Sequence, residues 1–259
     1  MFELTKQERL KVLELCEEYE EEVTLYACIM GYMGRVWANR RENPQCAMVL
    51  IGDFCYLIGS CVSEEEQEIV ELLSAVVKNK IMILNSTVWQ SVLDKLKQNN
   101  QESFRGFLRY ALIGKKEWFD QEKLVQWANA IEPEYKAVRI DDTIYPLTQK
   151  QFWTEDFCSN FESKEDFMKY GIGYVVLKDN EIISGASTYS YDGERLEITI
   201  ETKEEYRKKG LAMACAARLI LDSLARNIYP RWDAANLTSV RLAEKLGYRF
   251  AHEYTVYTF

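Results

Sequence analysis

The run from Ile172 to Thr202, IGYVVLKDNEIISGASTYSYDGERLEITIET, holds three strand patterns separated by two turn signals, Asp179-Asn180 and Asp192-Gly193. Asp-Gly is a strong hairpin signal because both residues accept the positive φ that a tight primed turn requires. The stretch is therefore committed to antiparallel β-structure. The period then changes. A long apolar helix pattern, LAMACAARLILDSL, runs on from Gly210 and is ended by Asn227 and Pro230. A short strand around Tyr229–Trp232 follows, then a helix, TSVRLAEKL, stopped by Gly247, and two terminal strands, YRFAHEY and TVYTF. The order β-β-β-α-β-α-β predicts a mixed, mostly antiparallel central sheet with helices packed on it, an α/β (α+β) domain.

The first half also mixes the two periods. Residues 5–33 read as helical, and the acidic run EEYEEE (17–22) reads as a solvated helix face. GRVWANRRENPQCAMVLIGDFCYLIGS reads as a strand, a loop around Pro44 and two strands meeting at Gly52-Asp53. EEEQEIVELLSAVVKN is an amphipathic helix with Ser63 as its expected N-cap; KIMILNS is a buried strand and TVWQSVLDKLKQ a further helix. Pro133 falls between the helical EKLVQWANAI and the strand YKAVRI, which places a boundary between a smaller N-terminal α/β domain (1–134) and a second domain (135–259). PLTQKQFWTEDFCSNF and SKEDFMKYG read as helices, and no internal repeat stands out.

Composition excludes several classes. A net charge of −9 argues against a general nucleic-acid or anionic-membrane binder, which needs a basic surface. The seven cysteines contain no C-x-x-C pair and sit mostly in apolar runs, as expected of reduced thiols. A single histidine, His252, leaves a zinc site without partners and a Ser-His-Asp hydrolase without a G-x-S-x-G elbow. The charged start, MFELTKQERL, and the lack of a long apolar run lead to the expectation of a cytoplasmic protein.

The chemistry concentrates in ETKEEYRKKGLA. A strand ends near Thr202, a basic loop follows, and a helix starts at about Gly210. Unpaired N–H groups and a partial positive charge make a helix N-terminus a site for phosphate oxygens, above all where small residues such as Gly210 and Ala212 let a ligand approach the backbone. A Walker loop is excluded because Leu211-Ala212, not Lys-Ser/Thr, follows the glycine, and GIGYVV at Gly171 supplies only part of a dinucleotide fingerprint.

Arg207 to Ala212 spell R-x-x-G-x-A between a strand and a long helix, and WDAANLTSVRLAEKLGYRF places Asn236, Ser239, Leu246, Gly247 and Tyr248 downstream. The pair resembles the two signature segments of the GNAT superfamily of acetyl-CoA-dependent N-acyltransferases, whose fold has the same element order. With GRVWANRRENPQCAMVLIGDFCYLIGS in the first half and LEITIET, EYRKKGLA and YPRWDAANLTSVRLAEKLGY in the second, nearly the whole chain resembles the zwittermicin A resistance-like subfamily.

The resemblance implies roles. The amides of Lys208, Lys209, Gly210, Leu211 and Ala212 would hold the pyrophosphate of coenzyme A, with Arg207 shaping the loop and the lysines pairing with phosphate oxygens. Ile200 and Thr202 would present backbone N–H groups to the pantetheine arm and thioester carbonyl, and Asn236 with Ser239 would flank that arm. Glu197 and Glu201, on one face of an ideal strand, are the candidate bases that deprotonate an amine, Glu197 being favoured. Many relatives carry a tyrosine seven residues after the motif asparagine as the acid for the leaving thiolate; Ala243 stands there in this chain. The implied function is transfer of an acetyl group from acetyl-CoA to a small-molecule amine, with a non-catalytic acyl-CoA-binding module as the alternative. The N-terminal half would line the acceptor cleft or form a contact in a homodimer.

Overall fold

A computed structural model describes residues 1–259, which form two compact units. One contains Met1–Arg109 and Glu253–Phe259; the other contains Tyr110–His252. No helix is long and apolar enough to cross a membrane.

The N-terminal unit opens with β1 (Phe2–Glu3), a 3-10 stretch (Arg9–Tyr19) and α1 (Val23–Ile29). The single helix expected over 5–33 is thus broken in two. Like charges three and four residues apart along EEYEEE destabilise an α-helix there. Next come β2 (Arg35–Ala38), β3 (Cys46–Ile51), β4 (Phe54–Gly59), α2 (Glu66–Val76), β5 (Ile81–Leu84), α3 (Gln90–Asn99) and β6 (Arg105–Ile113). The N-cap of α2 is Glu65, not Ser63, and no side chain caps it. Strands β1 to β4 pair antiparallel in chain order, and β5 joins β4 in parallel through α2. The far side of β5 is met by Tyr257, opposite Met82. The apolar faces of α2 and α3 (Ile69, Val70, Leu73, Val92, Leu93 and Leu96) bury themselves with Trp89 against Met48, Cys55, Leu57 and Met82.

Within the C-terminal unit, residues 110–113 of β6 are followed by α4 (Gln121–Asn129), β7 (Lys136–Arg139), α5 (Tyr145–Thr148), α6 (Phe152–Glu155) and α7 (Lys164–Tyr170). Then come β8 (Gly173–Lys178), β9 (Glu181–Tyr191), β10 (Arg195–Thr202), α8 (Leu211–Ala225), β11 (Tyr229–Ala234), α9 (Leu237–Leu246) and β12 (Arg249–Thr258), whose last residues belong to the N-terminal unit. The segment expected as one helix after Pro146 is two four-residue helices, and the expected terminal strand pair is one continuous strand. The meander β7-β8-β9-β10 is antiparallel, β11 runs parallel to β10, and residues 110–112 pair antiparallel with β11. Residues 110–134, ahead of the sequence-based boundary, belong to this unit because Leu112, Leu124 and Ala128 are buried in the same cluster as α8.

The chain therefore runs through one element order twice. β2-β3-β4-α2-β5-α3-β6 repeats as β8-β9-β10-α8-β11-α9-β12, with the parallel pair joined by a helix each time. The repeat lies in topology and is not visible as repeated sequence.

Candidate functional site

Strands β10 and β11 are neighbours for only part of their length. Arg195, Leu196 and Glu197 pair with Tyr229, Pro230 and Arg231, and there the parallel ladder stops. Beyond it, Ile198–Thr202 pair only with β9, while Trp232–Ala234 pair with β6. A fork opens between them. Lys203 N–H turns toward β9 and donates to the Ile183 carbonyl. Thr202 N–H turns the other way, toward the open edge, where Glu201 Oε1 meets it at 3.3 Å. Since N–H groups alternate sides along a strand, Ile200 presents its N–H to the same open edge. The Ile200 side chain packs on the core and the Thr202 hydroxyl is 2.7 Å from Ser184 Oγ, so these two residues offer backbone and not side chain to the fork.

Because β10 and β11 are parallel, the helices that follow them start at the same edge of the sheet. The loop into α8 is held back on the strand by Arg207, whose Nε donates to the Thr202 carbonyl at 3.2 Å and whose Nη2 lies 3.4 Å from Glu201 Oε1. Lys208 and Gly210 both take positive φ, 63° and 78°. The first intrahelical bond of α8 is Ala214 N–H to the Gly210 carbonyl, and the N-cap glycine has no side chain to accept from the N–H groups that follow it. The amides of Lys208, Lys209, Gly210, Leu211, Ala212 and Met213 consequently have no acceptor within the chain. They sit at the positive end of a fifteen-residue helix with no acidic residue in its first turn.

The equivalent point in the N-terminal unit is built differently. The ladder between β4 and β5 runs from Phe54 to Leu57 without a fork. The helix after it has Glu65 as N-cap and Glu66 and Glu68 in its first turn, and Glu65 Oε2 already accepts the Val62 N–H. Three carboxylates at that helix start repel an anion. Of the two equivalent helix starts, only that of α8 is without an acidic residue in its first turn.

Glu197 stands in the mouth of the fork. It is half-buried, and its Oε1 accepts the Asp233 N–H at 2.6 Å. Along β10, Leu196, Ile198 and Thr202 are buried, which leaves Glu197 and Glu201 together on the other face, as the strand period predicts. Glu201 is exposed and tied to Arg207, whereas Glu197 is the carboxylate at the fork itself.

Asn236 caps α9: its Oδ1 accepts the Ser239 N–H at 3.0 Å, which leaves the amide nitrogen exposed at the fork edge. Ser239 Oγ accepts from Trp232 Nε1 at 3.0 Å, so its hydroxyl is engaged in holding that ring. Ala243 is fully buried among Trp232, Leu246 and Tyr248 and contributes no acid. Tyr248 is no substitute. Its hydroxyl donates to the Pro230 carbonyl at 3.1 Å, and burial, with the nearby Glu197 charge second, pushes it well above the usual tyrosine range.

Sequence reasoning missed the groups that brace this site. Tyr135, Lys178 and Tyr206 come from separate segments and gather around Lys209, whose Nζ lies 3.3 Å from the Tyr135 hydroxyl. No spacing rule links them.

Comparison with known proteins accords with this geometry. The family model for GNAT acetyltransferase matches residues 14–257. A GCN5-related N-acetyltransferase-like protein from Streptococcus suis 89/1591 superposes with a TM-score of 0.85 at 32% identity, over 97% of this chain and 98% of that one. A tandem GNAT protein from the clavulanic acid biosynthesis pathway shares the fold, with a TM-score of 0.59 at 9% identity over 98% of this chain and 94% of that one. The uncharacterized N-acetyltransferase YdfB of Bacillus subtilis (strain 168) is 37% identical over 99 residues, a match spanning 38% of this chain and 38% of that protein's length.

Proposed function

The chain belongs to the GNAT acetyltransferase family, and from that membership we propose that it transfers an acetyl group from acetyl-CoA to the amine of a small molecule by direct attack. The observation that carries this reading is the run of unpaired amides from Lys208 to Met213 beside the opened edge of β10. Six donors around a left-handed glycine suit a pyrophosphate, and the contrast with the acidic α2 start makes the choice of unit a matter of charge.

When bound, acetyl-CoA supplies the activated acyl carbon that the amine nitrogen attacks, with the thiol as leaving group. The chain's own residues do the rest. Loop amides hold the pyrophosphate, and Lys208, exposed and without an internal partner, adds charge. The Ile200 and Thr202 N–H groups face the pantetheine arm and the carbonyl, where a preorganised donor is worth about 2.7–4 kcal/mol to a developing oxyanion. Glu197, fixed by the Asp233 amide through one oxygen, takes the amine proton directly or through water. No acid is assigned to the leaving thiolate, because a thiol of reference pKa about 8.5 leaves without one. Asn236 lies along the arm through its free amide nitrogen. The subfamily resemblance makes an aminated antibiotic or metabolite the acceptor class to try first.

Thiol release from acetyl-CoA across a panel of amines tests the reading, alongside calorimetric binding of coenzyme A. Turnover on at least one amine is expected. Saturable binding with no turnover on any amine would favour the binding-module reading, and no binding at all would overturn both.

A further inference from the structure

Two lysines from separate segments converge on one aromatic pair beside the loop. Tyr135 precedes β7 and Tyr206 ends the 3-10 turn Glu204–Tyr206; their rings meet edge to face with centroids 6.4 Å apart. Lys209 Nζ lies 5.0 Å from the Tyr206 centroid and 5.9 Å from that of Tyr135. Lys178, the last residue of β8, places its Nζ 5.7 and 5.6 Å from the same two rings. The carboxylate in the group is Glu134, 3.0 Å from Lys178 Nζ and held below the usual glutamate range by its hydrogen bonds to Lys178 and then to Tyr135. Two ammonium groups thus face one carboxylate, in a chain whose net charge is −9. Ring faces favour the cations and fix them without neutralising them.

Resting on the cofactor reading above, we propose that Lys178 and Lys209 form an accessory site for a phosphate monoester, by which the chain selects free coenzyme A over the same molecule lacking its ribose phosphate. Coenzyme A carries both a pyrophosphate and a monoester phosphate, separated by a few bonds of ribose. Lys209 is the residue before Gly210, so its ammonium is within one side-chain length of the amides that take the pyrophosphate. A monoester carries close to two negative charges at neutral pH and accepts three strong hydrogen bonds, which suits a pair of point-charge donors. Glu134 opposes it, since the carboxylate competes for the same ammonium groups. The site therefore predicts opposite signs for its members: either lysine strengthens discrimination and Glu134 weakens it.

The test is calorimetric binding of coenzyme A and of 3′-dephospho-coenzyme A to the full chain and to Lys178→Ala, Lys209→Ala and Glu134→Gln, with each variant's fold checked by circular dichroism and thermal melting. The wild-type chain is expected to bind coenzyme A about tenfold more tightly than the dephospho form, a ratio typical of one or two partly exposed charge-assisted contacts. Either lysine variant should bring the ratio toward one, and Glu134→Gln should raise it. Added salt should shrink the ratio in the wild type more than in the lysine variants. Equal affinities in the wild type, an unchanged ratio in both lysine variants, or a fall in Glu134→Gln would each overturn the proposal while leaving the cofactor reading intact. Failure of the wild type to bind either molecule would overturn the cofactor reading itself.

Discussion

Glu197 Oε1 accepts the Asp233 N–H at 2.6 Å across the point where β10 and β11 part. The bond ties a carboxylate to the strand it does not belong to, and so holds both the group and the mouth of the fork. Glu197→Gln keeps an oxygen for the Asp233 amide and loses the carboxylate proposed to take the amine proton. Its kcat should fall by about 10²–10⁴-fold, the usual worth of a positioned proton acceptor, with affinity for coenzyme A nearly unchanged. Steady-state thiol release and calorimetry on the same preparation read the two quantities; wild-type kcat in this variant would remove Glu197 from the chemistry.

Gly210 has φ of 78°, and a Cβ placed there would meet nothing closer than the Ala130 carbonyl oxygen at 3.7 Å. Space allows a side chain; the backbone conformation disfavours it. Gly210→Val should cost roughly 1–2 kcal/mol or more of stability, since a β-branched residue is poorly accommodated at positive φ. It should also abolish the thermal shift produced by coenzyme A, because relaxing this φ re-aims the amides. A full shift in the variant would show that the amides do not hold the cofactor.

Tyr248→Phe removes the hydroxyl that donates to the buried Pro230 carbonyl. Loss of that partner should lower stability by about 1–3 kcal/mol. The kcat per folded molecule, and its pH profile between pH 6 and 9, should stay as in the wild type. A variant that melts normally but loses turnover would make Tyr248 the missing acid.

Burial pushes six thiols, those of Cys16, Cys28, Cys46, Cys55, Cys158 and Cys215, up to about 12. Unfolded thiols ionise from a reference value of 9.0, so between there and about 12 the unfolded chain has released protons that the folded chain retains. Stability is therefore fully present below pH 9 and is lost as pH rises through this window. Urea midpoints at pH 8, 9 and 10 should fall in that order. Alkylation of the native protein at pH 8 should be confined to the half-buried Cys61 until denaturant is added. Rapid labelling of all seven thiols in the native state would contradict the burial described.

The parts of the site legible in sequence were those a few residues fix on their own. Gly210 and Gly247 take the left-handed conformations at a helix start and end that only glycine adopts freely, and Asp192 closes its turn by accepting from the N–H groups of Glu194 and Arg195. The alternation that put Glu197 and Glu201 on one face survived, although the pairing with β9 shifts register beside Glu197. What the sequence hid depends on distant partners. The Asp233 amide that holds Glu197 and the tyrosines that hold Lys209 are contacts of tertiary structure, with no local pattern to announce them. β6 was missed because its first residues are exposed and carry no clear period. The second copy of the β-β-β-α-β-α-β order was invisible because a topology can repeat while every loop and charge differs, as Glu65 and Gly210 illustrate.

The pairing of Tyr257 with Met82 carries a consequence for how the protein comes to be made. On the ribosome, residues emerge in order, and β5 is exposed long before its outer neighbour exists. Until β12 is synthesised, that edge has unsatisfied N–H and C=O groups and invites any passing strand. Removal of residues 253–259 would accordingly be felt first in the unit that contains β5, the half of the protein translated before them.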